Sequence, residues 1–314
     1  MGYHGNKLSA IGLAFTSLAL FIALINGAVS VIKLGKLGPQ GQISARWIRA
    51  TAFLVIIYLI LSLAVEAFLL VTPPRDKRPG HSGTNKAVSE LPEVTELLVN
   101  LAQAAILMTQ FKLTFDLYST GSKATKLAAV ILFIFSQSLN LTRFIAFHVA
   151  LYDSNDYDLS ESIPGYVYAV YVPALIMEVV LFSTSAMSVV VIVRYWIDFG
   201  ATPNETAPGL LFAASAFSLL RHTWKVITSG ISQITSMKGI PGPSVFPMWF
   251  FLIERVLTHW DNVIVITLLF CSALSGLRKL NSGRASPVSD VDGPIELINT
   301  ADASRSVEQH HVWR

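Results

Sequence analysis

Ionisable side chains interrupt stretches of this chain that are otherwise apolar, and any chemistry must start from them. They are Glu66, Lys112, Asp116, Arg143, Glu178, Arg194, Arg221, His222, Lys225, Glu254, Arg255, His259 and Asp261. A central Arg, Lys or Asp in hydrocarbon costs roughly 2.5–3.5 kcal/mol on insertion scales, so such groups face other helices, pair, or line a path. Spacing sorts them. Lys225 lies one helical turn after Arg221, and Asp261 follows Glu254 by seven residues, so each pair shares a helix face. Glu178 stands apart, because 163–177 and 179–193 carry no charge. A lone carboxyl in such surroundings takes a proton or a partner. Arg221, Lys225, Glu254, Asp261 and Glu178 are therefore the candidate ligand or translocation path. The competing reading is that they only neutralise one another and fix helix register.

Other chemistries find less support. His148, His222 and His259 are spread over three predicted helices without an HExxH spacing, so no metal is expected. Cys271 is the only cysteine, which excludes an intrachain disulfide and a cysteine-based metal site. No phosphate-binding GxxxxGK[ST] loop and no GxSxG elbow occurs, and no cofactor is expected. The net charge of +3 reflects loop asymmetry and argues for no nucleic-acid partner.

The elements that must hold these residues are membrane helices. Hydrophobic residues make up 53% of the chain and charged ones 14%, with a mean hydropathy of +0.55. A soluble domain carries about 25% charged residues. Apolar periodicity and turn signals predict seven helices: 8–32, 48–71, 93–118, 126–152, 166–196, 208–235 and 245–277. The fold class is all-α, a polytopic bundle of seven transmembrane helices. Residues 1–277 form the membrane domain, and 278–314, rich in Ser, Asp and Gly, read as a disordered cytoplasmic tail. The first apolar run is longer than a secretory signal core and is expected to be retained. Asn6 stands where a myristoylation signal needs Ser or Thr.

Basic residues set the orientation. Lys33, Lys36, Arg46 and Arg49 flank the first connection, Lys123 and Lys126 the third, and Arg278, Lys279 and Arg284 open the tail. The expected topology is N-terminus outside or lumenal and C-terminus cytoplasmic. The sequons at Asn140, inside helix 4, and Asn204, in a cytoplasmic connection, are expected to stay without glycan. At about 1.5 Å per residue, Arg221 and Glu254 reach similar depths, which predicts an ion pair between them. Lys112 is expected near the depth of Asp261. Gln137, Ser138, Asn140 and Thr142 are read as packing groups that hydrogen-bond between helices.

Helices 6 and 7 also carry a family likeness. The runs Leu211-Phe212-Ala213-Ala214-Ser215 and Arg221-His222-Thr223-Trp224-Lys225-Val226-Ile227, followed by Glu254 and, seven positions on, Asp261, resemble the fungal lipid-translocating exporter family. That seven-helical family is linked to resistance against amino-sterols and long-chain bases. The resemblance implies an exporter of amphiphiles whose path includes these residues.

Three functions are open at this level. The first is a multi-pass protein that binds or translocates an amphiphilic small molecule, a lipid or hydrophobic metabolite, within a bilayer. The second is a membrane enzyme of terpenoid or secondary metabolism, a cyclase whose intramembrane acids would be Glu66, Glu178, Glu254 and Asp261. The third is a seven-helix receptor. With no nucleotide-binding motif, transport would be driven by a gradient or by the ligand's own partitioning.

Overall fold

The structure is a computed structural model that describes residues 2–35, 42–71, 82–118, 123–153, 159–198, 206–237 and 248–284. Among the described residues every element is helical: α1 (Gly2–Leu34), α2 (Gln42–Val71), α3 (Ser82–Tyr118), α4 (Lys123–Asp153), α5 (Leu159–Asp198), α6 (Thr206–Met237), α7 (Met248–Arg255) and α8 (Asp261–Arg284). Between α7 and α8 the chain stays helical but widens into a π turn, Val256–Trp260. The predicted helices are all present, and most are longer than expected, because polar first and last turns continue the helix where apolar periodicity has stopped. α8 runs past Leu277, so the predicted tail begins helically. Residues 285–314 and Asn204 lie outside the described residues.

Among the described residues six spans are long and apolar enough to cross a membrane: Ala10–Leu34, Ser44–Phe68, Glu90–Leu117, Lys126–Val149, Val170–Asp198 and Ile253–Gly276. The chain is thus an all-α, multi-pass membrane protein. α6 is the predicted span that falls short on composition. It concentrates Arg221, His222 and Lys225, and it packs against α5 and α8 inside the bundle.

α3 is the hub. It contacts α2, α4, α5, α6 and α8, while consecutive helices pack around it and α1 closes against α8. The outer helices α1 and α4 show large apolar side chains outward, among them Phe21, Ile32, Leu127 and Ile131. Lipid tails are as apolar as these side chains, so helix association rests on close packing and interhelical hydrogen bonds. Small residues supply the first: Ala19, Ala52, Ala102, Ala105, Ala214 and Ala273 are buried. Polar pairs supply the second. Asn26 bonds Thr267 at 2.6 Å, Thr51 meets Thr109 at 3.0 Å, and Gln110 donates to Ser218 at 2.8 Å. On α4, buried Asn140 accepts from Asn100 and donates to the Leu97 carbonyl, whereas Ser138 and Thr142 bond carbonyls of their own helix.

Candidate functional site

The chain alternates direction, so α2 and α6 finish at the bundle end where α3 and α7 begin. At that end the membrane charges converge. Lys225 of α6 pairs with Glu254 of α7 at 2.8 Å. Arg255, the next residue, turns the other way and pairs with Glu66 of α2 at 2.5 Å. Thr16 of α1 donates to both Glu66 oxygens at 3.2 Å. The Arg255 guanidinium lies against Gly12 of α1, in space that any side chain there would occupy. Behind α3, Arg143 of α4 binds Glu93 at 2.9 Å and Glu96 at 2.8 Å.

These groups surround a pocket of about 280 Å³. α2 contributes Ser62, Val65 and Glu66, and α3 contributes Pro92, Thr95, Glu96, Val99 and Asn100. Lys225, Glu254, Arg255, Thr258 and His259 complete the wall. Pro92 sits inside α3, well past its first turn, so its missing N–H removes one hydrogen bond from the helical ladder at the pocket wall. The lining mixes opposite charges with Val65 and Val99, the mixture an amphiphile presents at a membrane surface.

The floor is built by the π turn. Its wider winding releases carbonyl oxygens from the α-helical ladder. Arg221 of α6, 1% exposed, takes them: Nη1 donates to Leu257 O at 3.1 Å and Thr258 O at 2.7 Å. The Gln103 amide oxygen, turned to the guanidinium, accepts from it as well. Tyr58 also donates to Thr258 O, and Asn262 donates to Tyr58 Oη at 2.8 Å. The expected ion pair between Arg221 and Glu254 is therefore not formed. Lys225, one turn along, holds Glu254, and backbone carbonyls hold Arg221.

Asp261 is buried beneath this floor, and its Oδ1 has no hydrogen-bond partner among the described residues. It does not line the pocket, unlike Glu254. The seven-residue spacing was expected to put both carboxyls on one face. Five of the residues from Glu254 to Asp261 form the π turn, which advances less per residue than an α-helix and rotates Asp261 away. Glu178 of α5 faces His222 of α6, Oε2 to Nδ1 at 3.9 Å, both deeply buried and outside the pocket. Lys112 pairs within its own helix with Asp116 at 3.0 Å, and Asp116 accepts from Ser44. Among the described residues no group of three or more His, Cys, Asp or Glu side chains is placed to hold a metal ion.

No family model matches this chain, and no curated protein or solved structure does either. The site must be read from its own geometry.

Of the residues singled out in the sequence, Lys225 and Glu254 meet at the pocket wall, and Arg221 supports its floor. Glu178 and Asp261 lie deeper. Sequence reasoning named Glu66 and Arg255 but paired neither. It missed Glu93, Glu96, Thr95 and Asn100. Glu93 and Glu96 lie near the start of helix 3, where a carboxylate reads as an ordinary helix-end residue. Their meaning comes from Arg143, which nothing local to α3 reveals.

Proposed function

We propose that this bundle binds an amphiphilic small molecule, a lipid or hydrophobic metabolite, by its head group and moves it across the bilayer. The observation that carries this reading is the pocket of about 280 Å³, with Lys225–Glu254 and Arg255–Glu66 in its wall beside Val65 and Val99. It opens at the bundle end where α2 and α6 finish and α3 and α7 begin, close to where the apolar spans themselves start and stop. Head groups lie at that level and tails below it. Resemblance to the fungal exporters supports the same reading, because Lys225 and Glu254 belong to the resembled runs. The path continues through Arg221 to Asp261 and Glu178, with the N-terminus and the pocket mouth outside and the C-terminus cytoplasmic. A gradient or the ligand's partitioning drives it.

The test uses the full chain in proteoliposomes with fluorescent single-chain amphiphiles in one leaflet. Transfer that exceeds protein-free vesicles and falls when Lys225 and Glu254 are both changed to Gln supports the reading. Unaltered transfer in that variant, at normal abundance, ends it. A cyclase would instead convert an isoprenoid to a new product in the same vesicles. That reading is weaker because the two candidate acids that line the pocket, Glu66 and Glu254, are each held by a cation, Arg255 and Lys225.

A further inference from the structure

We infer that the pocket recognises a zwitterionic head, an ammonium and a phosphate or carboxylate a few bonds apart, at the end of an apolar chain. This rests on the amphiphile reading above and adds the class of head group.

The argument begins with two consecutive residues. Glu254 and Arg255 project toward different helices, the first to Lys225 of α6 and the second to Glu66 of α2. Along the wall the charges therefore alternate: ammonium, carboxylate, guanidinium, carboxylate. Glu96 faces them from α3, its charge held by Arg143. A head with one charge meets a like charge beside every opposite one, and its Coulomb gain largely cancels. A head with both charges can lie along the wall with each end beside its opposite.

The pairs leave capacity for this. Lys225, Glu254 and Arg255 keep 21%, 32% and 29% of their side-chain surface exposed. An ammonium has three donors and a guanidinium five. Among the described residues Lys225 bonds only Glu254 Oε1, and Arg255 bonds only Glu66 Oε1. The remaining donors can take phosphate or carboxylate oxygens, and Glu254 Oε2 can accept from an ammonium. Size agrees. A pocket of about 280 Å³ has room for one small head group.

The experiment is a matched series binding to the full chain purified in a neutral maltoside detergent. Dodecyl phosphoethanolamine carries both charges, dodecyl phosphate only the anion, dodecylammonium only the cation, and phosphoethanolamine the head without the chain. The zwitterionic amphiphile is expected to bind at least roughly tenfold tighter than either singly charged one, the worth of one additional charge-assisted hydrogen bond. The double variant Lys225→Gln with Glu254→Gln, which removes a pair without stranding a charge, should erase that preference. Equal or tighter binding of dodecyl phosphate or dodecylammonium overturns the head-group class and leaves the amphiphile reading standing. Binding of free phosphoethanolamine as tight as that of its dodecyl form supports the head class and overturns the amphiphile reading. If none of the four binds, both are overturned.

Discussion

Arg221 and Lys225 sit one turn apart on α6, yet the fold handles their charges in opposite ways. Lys225 meets a carboxylate, Glu254, at a partly wet pocket wall. Arg221 is enclosed, and among the described residues its hydrogen-bond acceptors are neutral, the carbonyls of Leu257 and Thr258 and the Gln103 amide. Removing one partner of a close pair strands the other, so the two sites should behave differently in double-mutant cycles. Lys225→Gln and Glu254→Gln should couple by ~0.5–3 kcal/mol, whereas Arg221→Gln and Glu254→Gln should add, as sites without a direct contact do. Unfolding in detergent measures both. Coupling confined to the Arg221 cycle would reverse the assignment. Deeper in, Asp261→Asn keeps shape and removes the ionisable group. Abundance and head-group binding should be unchanged and transfer slower. Normal transfer would remove Asp261 from the path.

At the scale of elements, α1 meets the π turn and the pocket wall through a notch. Gly12 leaves room for Arg255 to reach Glu66, and a Cβ would overlap the guanidinium. Gly12→Leu should therefore push Arg255 off Glu66 and cost about 1–3 kcal/mol, the usual range for overpacking. Gly230, on α6, has nothing within 4 Å of the place a Cβ would take, so Gly230→Ala should be neutral or stabilise by up to ~1 kcal/mol through helix propensity. Thermal melts of the two variants check the contrast, and equal melts would refute the notch. The sequence shows the helices clearly, because runs such as 8–32 admit no other structure in lipid. It does not show the π turn. Val256–Trp260 contains no Pro or Gly, and its side chains suit an α-helix as well. That turn both rotates Asp261 away from Glu254 and presents the carbonyls Arg221 takes. The choice of Lys225 over Arg221 as partner of Glu254 was hidden for a related reason. Depth counted at ~1.5 Å per residue from a predicted helix start carries an error of about a turn, which is the distance between the two cations along α6.

Over the whole molecule, the arrangement puts a central, polar α3 within a ring whose outer helices are apolar toward lipid. Because α3 is shared by five neighbours, it ties the Gln110–Ser218 contact, the Arg143 cluster and the pocket to one rod. The charged wall lies at one end of that rod, which makes orientation a functional question. In the topology proposed above, which rests on basic residues at the first and third connections and in the last turns of α8, the opposite end is cytoplasmic. The pocket mouth then faces outward, and Glu96, whose side chain is 45% exposed there, reports on it. Cys271 is the chain's only cysteine, so a Cys271→Ser background allows a single reporter thiol. In sealed right-side-out vesicles, Glu96→Cys in that background should react with a membrane-impermeant maleimide added outside. Dodecyl phosphoethanolamine should slow the reaction by occupying the pocket, and dodecyl phosphate should slow it less. Reaction only after the vesicles are opened would invert the topology while leaving the pocket in place. Reaction from outside that no amphiphile slows would leave the topology standing and remove the head group from the pocket.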